Sequence, residues 1–63
     1  MKWQPITTAP LGQDLELAVI DGGHNYALVF PCRRDVAGRG WIKVDTGERV
    51  EVHPTHWREW GKS

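Results

Sequence analysis

The sequence lacks the cysteines for an internal disulfide, because Cys32 is its only one. Small domains often reinforce a thin core with disulfides or a structural metal. The chain has 63 residues, which is enough for one domain, and a domain of that size buries only about 60% of the surface of its unfolded chain. We therefore expect a single domain over residues 1–63, a monomer or a weak homo-oligomer, that depends on packing of its large apolar side chains.

Long apolar runs are also missing. Met1, Lys2 and Trp3 begin the chain with one charge, but no apolar run of signal-peptide length follows them. No other segment approaches the roughly 18 apolar residues of a membrane span. We expect a soluble, cytoplasmic protein that does not bind membranes.

Neither sign of charge dominates, since eight Lys and Arg balance eight Asp and Glu. A dedicated nucleic-acid-binding domain usually has an excess of basic residues, so this class is disfavoured. The distribution along the chain is less even. Residues 33–43 contain only one acid, Asp35, beside four basic residues that could form a local patch: Arg33, Arg34, Arg39 and Lys43.

No segment has ten residues of helical periodicity, whereas "DLELAVID" (14–21) and "NYALVF" (25–30) alternate as strands do. If Gly22 and Gly23 form a two-residue turn, three apolar pairs share one face: Val19 with Tyr26, Leu17 with Leu28, and Leu15 with Phe30. A four-residue loop from Gly22 to Asn25 would shift the register by two and keep the same faces. The alternation therefore predicts a first hairpin with either turn.

A second hairpin is predicted by "WIKV" (41–44) and "RVEV" (49–52), which flank the turn signal "DTGE". A bulged three-residue loop of residues 45–47 pairs Ile42 with Val50 and Trp41 with Glu51. Ile42, Val44, Val50 and Val52 then share a face, and Trp41 lies on the polar face with Lys43, Arg49 and Glu51. A four-residue loop would mix the two faces, so the bulged loop is favoured.

The remaining segments suggest how the sheet is completed. We expect Pro31 to end the second strand and "PCRRDVAGRG" (31–40) to form a flexible loop. Residues 3–6 and 57–60 are candidates for a short pairing of the termini, since a small sheet gains by curling until its edges meet. The sequence thus predicts an all-β fold, a small antiparallel sheet of four to five strands curled into a partly open SH3-like barrel.

The segment "PTHWREW" (54–60) is the densest aromatic cluster. Pro54 forces a turn, and Thr55 can then hydrogen-bond nearby backbone or cap one helical turn. Whether residues 55–60 form a helical turn or a strand is left open. We expect Trp57 to plug the barrel end against Trp3 or Ile6, so that Trp57→Ala unfolds the chain and Trp41→Ala costs little. The residues of this structural clasp are Trp3, Ile6, Thr55, Trp57 and Trp60.

A resemblance to a family adds to this interpretation. "WQPITTAP" near the start, "LELAV", "GW" at 40–41 and "THW" at 55–57 together resemble a family of short uncharacterised proteins of bacteria and phages. The chain departs from that pattern after Trp57, where "REW" replaces a Pro-containing ending, and in its "FPCRR" insert. Members carry no assigned activity, so the resemblance implies a compact β-rich domain and no functional residues.

Metal binding and catalysis are not indicated. His53 and His56 are three residues apart, with His24 and Cys32 as further candidates, but structural zinc sites usually have two closely spaced ligand pairs. Cys32, His56 and Asp35 could act as nucleophile, base and orienting group, yet such trios are recognised by geometry. A chain of this size can hardly enclose a pocket of about 300 Å³. We expect a buried Cys32, no metal, no cofactor and no enzyme activity.

Two functional hypotheses remain. The favoured one is a small non-catalytic interaction module that binds another protein through an exposed strand edge or an aromatic face. The alternative is a nucleic-acid-binding small barrel that uses Trp41 with Arg33, Arg34, Arg39 and Lys43. A net charge of zero favours the first.

Overall fold

The computed structural model of the protein describes residues 2–36 and 40–61. In these two ranges the only helical element is a 3-10 turn over Ile6–Thr8. The other regular elements are seven strands: β1 (Gln4–Pro5), β2 (Leu15–Asp21), β3 (His24–Ala27), β4 (Cys32–Arg34), β5 (Trp41–Lys43), β6 (Arg49–Val50) and β7 (His56–Glu59). The predicted all-β class is confirmed.

All seven strands belong to one antiparallel sheet. The pairing order is β1-β7-β2-β4-β5-β6, and β3 pairs with β2 outside this path. Strand β2 is the centre, because Ala18 pairs with β7 on one edge and with β3 on the other, and Leu15 pairs with β4. The sheet is not closed into a barrel, since β1 and β6 are the two ends of the pairing order.

The first hairpin follows the sequence-based prediction as far as Leu28. Gly22 and Gly23 have φ values of 55° and 90°, which a two-residue primed turn requires. Two of the three expected pairs are confirmed, Val19 with Tyr26 through the strand register and Leu17 with Leu28 through a hydrogen bond from Leu28 N to Leu17 O of 2.9 Å.

The third pair, Leu15 with Phe30, is wrong, because Leu15 pairs with Cys32. The chain leaves the ladder after Leu28 and pairs with β2 again at Cys32, so the register has shifted by two residues. Pro31 has no N–H to donate, so regular pairing cannot continue through it. The displacement is an even number of residues, and the apolar side chains therefore keep their common face.

Strand β4 replaces part of the expected flexible loop. Cys32–Arg34 lies between β2 and β5, with Arg33 opposite Ile42 and Arg34 opposite Trp41. A segment of three residues, two of them arginines, is too short to show a period of two. Its strand conformation comes from pairing with its neighbours. Gly38 and Arg39 of the predicted loop lie outside the described residues.

The second hairpin forms in a register one residue away from the prediction. Trp41 pairs with Val50 and Ile42 with Arg49, so the expected pairs of Ile42 with Val50 and of Trp41 with Glu51 are wrong. The loop has four residues, 44–47, closed by a hydrogen bond from Lys43 N to Glu48 O of 2.8 Å.

The tight turn of this hairpin explains the register. Gly47 has a φ of 76° and donates its N–H to Lys43 O over 2.8 Å. A slip of one residue exchanges the two faces of a strand. The slip therefore brings Val50 onto the face of Trp41, and the pairing of β5 with β4 and of β4 with β2 places that face on the side of Cys32 and Leu15. Trp41 is only 8% exposed there, so the prediction that it lies on a polar face is wrong.

The core lies on one face of the sheet. Its buried members are Ala9, Leu15, Leu17, Cys32 and Trp41, and partly buried residues pack against them: Ile6, Leu28, Phe30, Val50, Val52 and Trp57. Burial raises the pKa of the Cys32 thiol, although nearby Lys43 lowers it in part. A neutral buried thiol is a weak nucleophile, so Cys32 serves the core as an apolar side chain.

The two termini pair with each other as expected. Gln4 lies opposite Trp57 and Pro5 opposite His56, and Ile6 N donates to Thr55 O over 3.0 Å. The conformation left open for residues 55–60 is resolved, because His56–Glu59 is a strand. This strand joins the amino-terminal end of the chain to the centre of the sheet.

Trp57 and Trp3 lie in different surroundings. Trp57 packs against the core together with Ile6, and its indole Nε1 donates to Thr8 Oγ1 over 3.0 Å. Trp3 instead lies under Arg58, whose guanidinium carbon is 4.1 Å from the ring centroid. Of the two expected neighbours of Trp57, Ile6 is thus the one that shares its cluster.

Thr55, which directly precedes β7, is hydrogen-bonded to β2. Its Oγ1 accepts a hydrogen bond from Ile20 N over 2.8 Å, and Thr55 N donates to Ala18 O over 2.9 Å. Thr55→Val removes the acceptor of the Ile20 N–H and is expected to lower the free energy of unfolding by about 1–3 kcal/mol. Denaturant unfolding measures the loss.

Thr55→Ser is the matched control, because it keeps the hydroxyl and removes one methyl group. We expect it to cost roughly 1 kcal/mol or less. Equal losses of unfolding free energy in the two variants would mean that the hydroxyl does not stabilise the attachment of β7 to β2.

Candidate binding surfaces

The predicted basic patch is divided between the two faces of the sheet. Arg33 and Arg34 are neighbours in β4, so their side chains point to opposite faces. Arg33 Nε is 2.8 Å from Asp14 Oδ1, whereas Arg34 Nη1 donates to Ala9 O over 2.7 Å. The structure therefore does not bring these two arginines together.

The other predicted binding residues lie apart as well. Lys43 Nζ is 4.8 Å from the Phe30 ring centroid, near the core face. Trp41 is on that face too, but buried, and Arg39 lies outside the described residues. Among the described members of the expected set, Arg34 and Trp41 are the two that meet, with the guanidinium carbon 5.9 Å from the ring centroid.

Arg34 and Trp41 line a cleft of about 520 Å³ between the 3-10 turn and strands β5 and β6. We call it the Trp41 cleft. Its apolar lining comes from Ile6, Trp41, Val50, Val52 and Pro54, and its polar lining from Thr7, Arg34, Arg49, Glu51 and His53. The cleft is open to solvent, so its volume does not test the expectation that a chain of this size can hardly enclose a pocket.

Two guanidinium groups border the Trp41 cleft, and each is held in place. Arg34 is tied to the 3-10 segment by its bond to Ala9 O. Arg49 Nη1 is 3.1 Å from Asp35 Oδ2. Gly40 has a φ of 81°, a backbone conformation that favours glycine, and a β-carbon there would lie 3.1 Å from the flexible end of Arg49, at Nη2. The charged groups are thus oriented before any ligand binds.

A second groove of about 680 Å³ lies next to Trp60. Arg58 Nε donates to Glu16 Oε1 over 2.7 Å inside it, and this hydrogen bond raises the pKa of Arg58. Glu59 and the exposed Val29 also line the groove. Because Arg58 is neutralised by Glu16, the groove has no marked preference for an anionic ligand.

The outer edge of β3 is a third surface. Among the described strands β3 pairs only with β2, and all four of its residues are exposed. The His24 and Tyr26 rings are stacked on its surface with centroids 6.0 Å apart. An exposed strand edge was predicted as a binding element, but the sequence did not indicate which edge.

The candidate metal and catalytic residues do not form a site. Over residues 2–36 and 40–61, no three His, Cys, Asp or Glu side chains are close enough to hold a metal ion. Cys32 is buried in the core, while His56 Nδ1 is hydrogen-bonded to Thr55 and Asp35 to Arg49. In the part of the chain that the structure describes, no helix is long and apolar enough to cross a bilayer.

Comparisons with models of known protein families, with curated proteins and with solved structures find no match to this chain. The resemblance to short proteins of bacteria and phages stays a prediction. The choice among the three surfaces therefore rests on their geometry and charge.

Proposed function

We propose that the protein is a small non-catalytic interaction module that binds an acidic, extended segment of another protein in the Trp41 cleft. The observation that carries this proposal is the combination of an apolar floor with the guanidinium group of Arg34, which is held by a backbone carbonyl, whereas Arg49 on the same border is paired with Asp35. Ligand sites of this kind are mainly apolar, with a few placed polar groups that orient the ligand.

The apolar floor favours a partner with an exposed apolar side chain. Trp41 forms this floor with Val50, Val52 and Pro54, which belong to β6 and the segment after it. Trp41 is 8% exposed, so the partly exposed Val50 and Val52 would provide most of the area that a partner covers. Burying one leucine-sized side chain here would contribute about 1.5–3 kcal/mol.

The border of the cleft favours a carboxylate beside that apolar side chain. A guanidinium has five N–H donors, and Ala9 O uses one donor of Arg34. Arginine binds carboxylates through two parallel hydrogen bonds, and the bond to Ala9 reduces the entropy that Arg34 would lose on binding. Glu51 also lines the cleft and would repel the carboxylate of the partner segment. This repulsion would direct that carboxylate toward Arg34.

The finer description of the fold is part of this proposal. SH3 domains dock extended peptides in aromatic-lined grooves. A small antiparallel sheet with a Trp-floored cleft beside a 3-10 turn supports an SH3-like interpretation. We retain the bacterial, cytoplasmic setting as part of the same proposal.

Nucleic-acid binding is the less favoured alternative. Stacking on bases needs an exposed aromatic face, and Trp41 is 8% exposed. A phosphate backbone needs several cations on one surface, whereas Arg33 is on the face opposite to Arg34 and paired with Asp14. Single-stranded DNA is therefore included as a probe in the test.

The test is a titration of ¹⁵N-labelled protein with short peptides of equal length, in which leucine alternates with either glutamate or lysine. We expect only the acidic peptide to shift the Trp41 indole signal and the amides of Thr7 and Ala9. Charge-assisted hydrogen bonds contribute about 1.5–3 kcal/mol, so Arg34→Gln should weaken this binding roughly tenfold or more.

Arg33→Gln is the matched control, since it removes the same charge from the opposite face, and it should leave the affinity unchanged. Circular dichroism checks that both variants fold. Equal binding of the two peptides, shifts confined to the Trp60 groove, or tighter binding of single-stranded DNA at low salt would each contradict the proposal.

A further inference from the structure

The described sheet has three strand edges without a neighbour, at β1, β6 and β3. Natural proteins protect such edges with proline, charged side chains or very short strands. Strand β1 has two residues and contains Pro5, and β6 has two residues, one of them Arg49. Strand β3 has four residues, "HNYA", with no proline and no charge. It is the unprotected edge of the described sheet.

The hydrogen bonds of the first hairpin show which β3 groups face outward. Leu28 N donates to Leu17 O, so Leu28 directs its backbone groups toward β2. These groups alternate in direction along an antiparallel strand. Tyr26 and His24 therefore also face β2, and Asn25 and Ala27 direct their N–H and C=O groups away from it.

We propose that β3 pairs in antiparallel fashion with β3 of a second copy of this chain, about a two-fold axis at Tyr26. In this register Asn25 lies opposite the partner's Ala27, and Ala27 opposite the partner's Asn25. Both are hydrogen-bonded pairs, because the outward-facing groups of each copy meet. One surface patch thus binds itself, as a two-fold interface requires.

The side chains of β3 favour a second copy as the occupant. Tyr26 would lie directly opposite the partner's Tyr26 in a non-hydrogen-bonded pair, where side chains approach most closely. Tyr26 is 63% exposed in the single chain and already stacks on His24. The pairing would extend this stack into a row of four aromatic rings. With no charge in β3, no like charges meet across the axis.

The interface would be small, with four strand residues from each copy. Standard interfaces bury about 1,600 Å², and smaller ones are weak. We therefore expect a dissociation constant on the order of 100 µM, at which millimolar protein is mostly dimeric. The Trp41 cleft lies on β5, β6 and the 3-10 turn and not on β3. A failure of self-association therefore would not contradict the proposed function, and the reverse also holds.

The test is sedimentation equilibrium of the whole chain from micromolar to millimolar concentration, with amide spectra recorded on dilution. Wild type should change from monomer to dimer, with the Asn25 and Ala27 amides among those that shift. Ala27→Pro removes an outward N–H and leaves the bonds to β2 intact, since proline is tolerated where an edge N–H faces solvent. It should remain monomeric throughout.

Ala27→Thr is the matched control, because it keeps the N–H, and it should dimerise like wild type. Asn25→Lys places a charge on the edge of β3 without a proline and should weaken association at least tenfold. This variant tests the edge pairing if Ala27→Pro fails to fold. The proposal is overturned by a wild type that stays monomeric at millimolar concentration. Dimerisation of both blocked variants, or dilution shifts confined to other surfaces, would also overturn it.

Discussion

Trp41→Ala is expected to leave most of the chain unfolded at room temperature. Trp41 is 8% exposed and belongs to the core cluster with Leu15, Leu17 and Cys32. Replacing a buried tryptophan by alanine costs about 3–5 kcal/mol. A core of this size rarely supplies more than about 3–5 kcal/mol in total. Denaturant unfolding followed by circular dichroism measures the remaining stability.

Trp60→Ala is the control for this substitution. Trp60 is partly exposed, and its backbone N donates to Asp14 O whatever its side chain. We expect a loss below about 1.5 kcal/mol. Trp57→Ala should lie between the two, since Trp57 is partly buried and loses its bond to Thr8. A stable Trp41→Ala beside an unfolded Trp60→Ala would show that the core lies on the other face.

Leu17→Ala is expected to have an effect of similar size. Leu17 is fully buried in the central strand, with Trp57 of β7 on one side and a hydrogen bond from Leu28 N on the other. Strands on both edges prevent the backbone from closing the cavity, so the loss should be near the upper end of the usual range of about 2–5 kcal/mol. Thermal and denaturant unfolding both report it.

Leu11→Ala provides the comparison at the same residue type. Leu11 is 57% exposed, and its removal should change the free energy of unfolding by about 0.5 kcal/mol or less. If Leu17→Ala were as mild as Leu11→Ala, β2 would not be the centre of the core.

The sequence by itself determined the features that depend on neighbouring residues. Alternating apolar residues and two adjacent glycines determined the all-β class, the existence of the first hairpin and the face of its apolar residues, because the two-residue turn and the four-residue loop differ by an even number of residues. The positive φ values of Gly22 and Gly23 and the strand register show that the two-residue turn forms. Pairing of the termini was also predicted, since a small sheet has few other ways to cover its ends. A strand edge or an aromatic face was expected as a binding element, without its location.

Only the tertiary structure decided where β4 lies and which face Trp41 occupies. The three residues of β4 have no period of their own, and their pairing with β2 and β5 makes them a strand. The sequence favoured a three-residue loop over residues 45–47, whereas the observed loop has the four residues 44–47 and shifts the register of β6 by one, so that Val50 joins the face of Trp41. The pairing of β5 with β4 and of β4 with β2 buries Trp41 beside Leu15 and Leu17. The pairing of Arg34 opposite Trp41 places Arg34 at the cleft, which no local sequence signal indicates.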